Sequence, residues 1–420
     1  MAGISVSISG GGHRAALFGL GALLYLADAG KNREVSSIAS VSGGSLTNGH
    51  LGQTLDYAAA TAAEVTRWAA TPARRFARTG TLWAARITWL YLVALIVFSL
   101  AVTAGVWFLP LHIWIRVLLF VTGLVVLGLL AQLRGAVCGR AFAKTLFSAP
   151  GRGRATRLDE LHTTVDHVIC ATDLHAGEHV YFSGRFVCAY RFGYGQPGGL
   201  PLHTAVQASA AFPGALPARW LRTARHKFQQ PQDEQAARSR SLVLADGGVY
   251  DNMGDQWAQG LANRKRRWAP LADALHEPDA LVVVNATAAL RFKPTRALRI
   301  PLIGELLTLI RDKDVLYDNG TSVRRAALVA RFQLSELQDA GLRGALVHIA
   351  QSPYTVPRAF KDDHEDPARA QRAHAALTAL GDCEQAWELT ASKTAASAPL
   401  SLHLASKSQH ASSSTPTSSR

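Results

Sequence analysis

Three short segments of this chain hold the residue types of nucleophilic and anion-stabilising chemistry. The first is Ser9-Gly10-Gly11-Gly12-His13-Arg14, which follows an apolar, β-branched stretch and opens a run with helical spacing. Three consecutive glycines free the backbone to turn successive N–H groups toward one anion beside a helix N-terminus. Gly10, Gly12 and Ala15 also satisfy G-x-G-x-x-G/A, the dinucleotide fingerprint, but that site needs an acidic residue at the end of the second strand. Here Glu34 precedes that strand and Ser40-Val41-Ser42 ends it, so a cradle for an oxyanion fits better. The second segment, Ser40-Val41-Ser42-Gly43-Gly44, stands where an apolar strand meets a helix. A serine on such a turn holds its hydroxyl clear of the backbone and next to a helix N-terminus, where developing negative charge is stabilised. The segment departs from G-x-S-x-G by having Ser40 in place of the first glycine, and read alone it also suits a polar helix cap. The third is Asp246-Gly247-Gly248, after the apolar run Leu242–Ala245. An aspartate there can project into the crevice at a strand's carboxyl end, although Asp-Gly-Gly alone also reads as a turn.

The order of the three carries more than any one of them. A glycine loop, a serine elbow some thirty residues on, and a distant Asp-Gly-Gly resemble the patatin-like phospholipase family. That family's pattern is a G-G-G-x-R/K-G loop, a G-x-S-x-G elbow and a D-G-G/A motif, with catalysis on a Ser/Asp dyad without histidine. The resemblance implies Ser42 as nucleophile, Asp246 as base, Gly10, Gly11 and Gly12 as the oxyanion hole, and Arg14 as a support of the loop or a phosphate contact. Ala15 replaces the glycine that usually closes the loop. Ala171-Thr172-Asp173 with Gly177-Glu178, and Ala208-Ser209-Ala210-Ala211-Phe212-Pro213, look like two further family segments. The likeness covers roughly residues 4–60 and 165–290.

The implied reaction is a two-step acyl transfer through a Ser42 acyl-enzyme, with Asp246 taking the serine proton. Histidine is the rival base, because a Ser…Asp…His order would place it after Asp246, where His276, His348 and His364 occur. None sits in a local context that marks it, and His13 reads as a spacer in the loop. No carboxylate cluster has calcium-loop spacing, so neither a metal nor another cofactor is expected.

The elements that must position these residues alternate. Ile4–Ser9 and Ile38–Val41 read as strands with helical spacing at Ala15–Ala29 between them. Val168–Thr172, Val180–Ser183, Leu242–Ala245 and Leu281–Asn285 read as further short, buried strands. The alternation predicts an α/β layered fold with a largely parallel sheet, and the resemblance implies a three-layer, patatin-like core.

Between Ser42 and Asp246 lies Ile87–Leu109, 23 residues without a formal charge, and past Pro110, His112 and Arg116 a second uncharged stretch, Val117–Leu133. The first is long enough to cross a bilayer's hydrocarbon core and the second is near the lower limit. Arg67, Arg74, Arg75, Arg78 and Arg86 precede the pair; Arg134, Arg140, Lys144, Arg152, Arg154 and Arg157 follow it. The excess of basic residues on both flanks predicts a transmembrane hairpin with both halves of the soluble domain on the cytoplasmic side. The expected organisation is a first half of the patatin-like domain at 1–80, the inserted hairpin at 81–140, the second half at 141–390, and a disordered Ser-rich tail at 391–420.

Composition sets the remaining bounds. With 420 residues, 48% hydrophobic and 18% charged, the chain can bury a large core. A formal charge of +14 draws it toward anionic surfaces. No nucleic-acid-binding module accompanies that charge, so the expected partner is an anionic membrane, with a membrane lipid as substrate. The run Arg264-Lys265-Arg266-Arg267, before Trp268, reads either as a grip on lipid headgroups or as a solvated helix end. Cys138, Cys170, Cys188 and Cys383 are scattered without metal-ligand spacing and read as reduced thiols. The first residues lack the pattern of a secretory signal. The expected protein is a membrane-anchored lipid acyl-hydrolase of the phospholipase A or lysophospholipase type. The alternative is a patatin-like membrane scaffold without catalysis, which the departures at Ser40 and Ala15 keep open.

Overall fold

The computed structural model describes residues 3–148, 153–213, 216–287, 303–338 and 341–349. The expected tail, Cys383 and His364 lie outside the described residues.

Short runs rich in Val, Ile, Ala and Ser build one side of the sheet: β1 (Ile4–Ile8), β2 (Val35–Val41), β3 (Asp166–Asp173), β9 (Ala280–Asn285) and β10 (Arg343–His348), the last at its edge. β1 and β2 are apolar or small on both faces, and β3 is buried along its whole length, as strands covered on both sides must be. The five run parallel in the order β10, β9, β1, β2, β3. Beyond β3 the sheet turns antiparallel through β4 (Glu178–Phe182), β5 (Val187–Ala189) and β6 (Gly193–Gly195). Two more strands, β7 (Arg219–Arg222) and β8 (Ser241–Asp246), are paired antiparallel to each other. The expected parallel sheet is therefore the five strands from the β10 edge to β3, and the antiparallel extension is what local patterns did not indicate.

The pairing of β3 fixes the site. One edge of β3 is taken by β4, which covers Ile169 to Asp173. Its other edge is shared: β2 pairs up to Cys170, and β8, running the opposite way, pairs from Ala171 to Asp173. The carboxyl ends of β2 and β8 therefore meet head to head, opposite consecutive residues of β3.

Helices cover both faces. On one lie α1 (Gly12–Asp28), α2 (Gly43–Thr54), α3 (Ala62–Arg74) and, further along the chain, α7 (Leu202–Ser209), which bury Phe18, Leu23, Leu46, Leu51 and Val206 against Ile8, Ile38, Ile169 and Leu244. Each such fully buried side chain contributes about 1.5–3 kcal/mol. After the five-residue α8 (Glu234–Arg238), the short helices α9 (Gln256–Gln259), α10 (Leu261–Arg267) and α11 (Ala269–Ala274) pack Trp257, Leu261, Trp268 and Leu271 on the opposite face, against Val41, Val168 and Cys170. The long α12 (Ile303–Leu337) lays Leu328 and Phe332 on Leu281 and Val283 of that same face. The result is the expected three-layer α/β/α core.

From the first of these layers projects a pair of helices, α4 (Arg86–Phe108) and α5 (Ile113–Gln132), the second continuing into α6 (Arg134–Thr145). They are about 34 and 30 Å long at 1.5 Å per residue. α4 buries none of its residues and α5 only Gly123, so apolar side chains such as Leu100, Phe108, Trp114 and Leu118 face outward all round. A helix packed in a globular core would bury a stripe instead. The two helices are long and apolar enough to cross a membrane. They touch closely through small residues: a Cβ on Gly123 would stand 2.6 Å from Val102 Cγ1, and one on Gly105 3.0 Å from Leu119 Cδ2.

Candidate active site

Ser42 begins where β2 ends. Its backbone takes φ 51° and ψ −117°, a left-handed conformation that L side chains avoid and that costs about 1–3 kcal/mol. What holds the turn is packing without side chains. A Cβ on Gly43 would stand 1.9 Å from the Gly12 carbonyl oxygen, so the first residue of α2 lies directly on the backbone of the glycine loop. Gly11 and Gly12 adopt φ 143° and 63° to make that approach.

Behind the turn is a buried hydroxyl cluster. The Ser42 N–H donates to Ser209 Oγ at 2.9 Å, and Ser209 in turn donates to the Cys170 carbonyl at 2.6 Å. Ser45 Oγ lies 2.9 Å from Ser209 Oγ and donates to Ser40 Oγ at 3.1 Å. Ser40 is fully buried, donates to the Val168 carbonyl and accepts from Asn48 Nδ2 at 2.8 Å. A serine is thus accommodated where the elbow pattern has glycine, because its hydroxyl is satisfied rather than stranded. Ser209, at the end of α7, holds the turn from behind. Its segment stood out in the sequence, but its part did not.

Asp246 ends β8 and is 2% exposed. Its Oδ1 accepts the Gly248 N–H at 2.8 Å, and Oδ2 is buried without a hydrogen-bond partner among the described residues. Burial pushes its pKa up to about 6, while the neighbouring Ser42 hydroxyl and the Gly248 N–H hold it down. The Ser42 hydroxyl stands beside this carboxylate without completing a hydrogen bond to Oδ2. Gly247 is tucked behind the pair; a Cβ there would meet the Cys170 carbonyl oxygen at 2.3 Å.

The glycine loop differs in one respect from the expectation. Gly10 already donates its N–H to the Asn252 carbonyl at 2.8 Å, so it is spent as an oxyanion donor. Its part is spatial: a Cβ there would stand 2.2 Å from Asn252 Oδ1 and 3.4 Å from Ser42 Cβ. Gly11 and Gly12 donate their N–H groups to no partner among the described residues, and neither does Gly43, a position the sequence motifs did not mark as a donor. Three amides therefore open beside Ser42. Arg14 donates from Nε to the Ala286 carbonyl at 3.0 Å, a contact that braces the loop against the end of β9.

The histidines stand elsewhere. His276 is exposed, and His348 ends β10, three strands from β2. His179 is buried, and its Nε2 faces the Gly247 carbonyl at 3.1 Å. His13 serves the architecture. Burial lowers its pKa to about 4, and its neutral Nε2 accepts the Thr81 N–H at 3.3 Å. Thr81 lies at the foot of α4, and its carbonyl accepts from Thr145 Oγ1 at the end of α6, 3.0 Å away. On the other side, Gln207 of α7 donates to the Gly135 carbonyl of α6 at 2.6 Å. The apolar hairpin is thus bonded at its base to the glycine loop and to the helix that backs the serine turn.

A cleft of about 530 Å³ opens beside the Asp246 loop, between Gly248, Tyr250 and Asn252 on one side and Leu309, Leu316 and Tyr317 of α12 on the other. The basic run is only partly available at the surface. Arg264 lies over the Tyr181 and Trp257 rings and donates to the Trp257 carbonyl at 2.6 Å and to Tyr181 Oη at 2.7 Å. Arg266 and Arg267 are exposed. Cys170 and Cys188 are buried free thiols, and Cys138 is a half-buried one.

The family model described as patatin-like phospholipase matches residues 6–254. No curated protein matches the chain. Among solved structures, it is similar to human GIVD cytosolic phospholipase A2, with 12% identity, TM-score 0.38, and coverage of 70% of this chain and 49% of that one. The same human protein in complex with methyl gamma-linolenyl fluorophosphonate gives 12% identity and TM-score 0.40, covering 99% of this chain and 56% of that one. VipD from Legionella pneumophila gives 12% identity and TM-score 0.27, covering 98% and 90%. The chain spans about half the length of the human protein.

Proposed function

This chain belongs to the patatin-like phospholipase family, and from that premise we propose that it is a membrane-anchored lipid acyl-hydrolase in which Ser42 is the nucleophile and Asp246 its base. The observation that carries the reading is the head-to-head meeting of β2 and β8 on one edge of β3, which sets a strained serine beside a buried, half-satisfied carboxylate. Ser42 Oγ attacks the ester carbonyl as its proton passes to Asp246. The Gly11, Gly12 and Gly43 amides receive the oxyanion, worth on the order of 10²–10³ in rate per donor. Collapse releases the alcohol, and water then hydrolyses the acyl-enzyme.

The base must be deprotonated to act, so its raised pKa sets the acid limb. On a soluble short-chain ester, kcat/KM should fall about tenfold per pH unit below roughly pH 6 and level off above it. A profile flat down to pH 4.5 would remove Asp246 from that role.

The hairpin fits a transmembrane anchor at 81–140 that splits the domain into halves at 1–80 and 141–390, both cytoplasmic, as the basic flanks suggest. Because its base is bonded to the glycine loop and α7, it would hold the cleft against the anionic leaflet that supplies the lipid. Replacing residues 87–132 with a Gly/Ser linker should lower hydrolysis of vesicle lipid by roughly 100-fold through lost effective concentration, while a soluble ester is still cleaved. Equal vesicle activity in both proteins would defeat the anchoring role and leave the chemistry standing.

A further inference from the structure

The cleft has a wall that the serine–aspartate pair does not use. Tyr317 reaches it from α12: its Cε1 lies 3.1 Å from where a Cβ on Gly248 would stand, and Asp246 Oδ1 lies 3.0 Å from the same point. An edge contact with Phe212, ring centroids 5.8 Å apart at 61°, fixes the plane of the phenol. The Tyr317 hydroxyl is buried and has no hydrogen-bond partner among the described residues. A buried tyrosine O–H ordinarily finds one. An orphaned phenol beside the loop that carries an orphaned carboxylate oxygen marks a place where a bound molecule's polar atom would complete the bonding.

The acyl-transfer chemistry, on which this inference rests, says which atom that is. In acylation the Ser42 O–H bond breaks, its proton goes to Asp246, and the Oγ–C bond forms as the carbonyl oxygen takes the electron pair. That oxygen is served from the α1–α2 side by Gly11, Gly12 and Gly43. When the intermediate collapses, the bond from carbon to the alcohol oxygen breaks, and the departing oxygen takes the proton back from Asp246. The leaving oxygen must therefore sit on the Asp246 side, where Tyr317 stands. We propose that the Tyr317 hydroxyl donates a hydrogen bond to the leaving-group oxygen of the ester, so that α12 forms the alcohol-binding wall and favours esters of poorly leaving alkyl alcohols such as glycerides. Burial and the Asp246 charge push the phenol's pKa up, so it remains protonated and donates without giving up its proton.

The test is Tyr317→Phe assayed at pH 8 on an alkyl ester and a p-nitrophenyl ester of the same acid, beside the rate of fluorophosphonate labelling of Ser42. An alkoxide needs help to leave, whereas p-nitrophenolate and fluoride do not. The expected result is a kcat/KM lower by roughly 10- to 100-fold on the alkyl ester, the worth of one hydrogen bond to a developing charge. The p-nitrophenyl ester and the labelling rate should change by less than about threefold. Equal losses in all three would assign Tyr317 a structural part and overturn the inference, as would an unchanged alkyl-ester rate. A wild-type protein that cleaves neither ester would overturn the hydrolase reading and this inference with it.

Discussion

Asp246→Asn should abolish ester hydrolysis and at the same time make the protein more stable above pH 6. Asparagine keeps the side-chain shape and can still accept the Gly248 N–H, but it cannot take the Ser42 proton, so a loss on the order of 10⁴-fold is expected. The stability effect follows from the buried charge. Folding raises this carboxyl from about 4, its value in an exposed chain, to about 6. The folded state then binds the proton more tightly than the unfolded state, so wild-type stability is greatest below pH 4, falls as pH rises to 6, and is level above. The charged form burdens the fold by about 3 kcal/mol at pH 8, which the neutral amide avoids in part. Urea unfolding at pH 4 and pH 8 checks this: the variant should gain at pH 8 and not at pH 4. A loss at pH 8 would mean that the carboxylate is a paired, stabilising group.

Gly43→Ala should be among the most damaging single-methyl changes in the chain. The added carbon would stand 1.9 Å from the Gly12 carbonyl oxygen and 2.5 Å from its carbon, and both neighbours are backbone. No rotamer can relieve the overlap, so either the glycine loop or the first turn of α2 must move, at a cost of several kcal/mol. Both outcomes also spoil the amides beside Ser42, so a folded remnant should fail to label with a fluorophosphonate. Gly128→Ala is the contrast. A Cβ there meets nothing within 4 Å, and alanine is the better helix former by about 1 kcal/mol. Thermal unfolding of the two variants should show a large loss for the first and none for the second; equal behaviour would contradict the close backbone contact.

Much of the site was legible because its signals are local. The glycine loop, the serine after Val41 and the aspartate after Ala245 each follow an apolar run of the length and β-branching that makes a buried strand, and those strands formed with shifts of one to three residues at their ends. What joins them is not local. Ser-Leu-Val-Leu-Ala-Asp reads the same whether its strand runs parallel or antiparallel, so the abutment of β8 on β2 depends on a register with β3 that sequence spacing does not encode. The strands β5 to β7 are three or four residues long, too short for a period to show. α12 is not legible in the sequence because Gly304, Gly320 and charges on every face dilute its apolar spacing, and Tyr317 lies within it. The basic run shows the opposite limit. Four consecutive cationic residues are visible in sequence, but the stacking of a half-buried Arg264 on the Tyr181 and Trp257 rings is a property of packing. Likewise Gly10 carries the family's pattern, yet its amide is claimed by Asn252, a residue some 240 positions away.

The measurement that bears most directly on the proposed dyad is mass-spectrometric detection of fatty acid released from mixed lipid vesicles by the detergent-purified protein, beside Ser42→Ala and Asp246→Asn. Release by the wild type alone is the predicted result, and the lipids consumed would then name the substrate. Equal release by all three proteins, or release by none, would contradict the account and favour a membrane scaffold that keeps the fold without its chemistry.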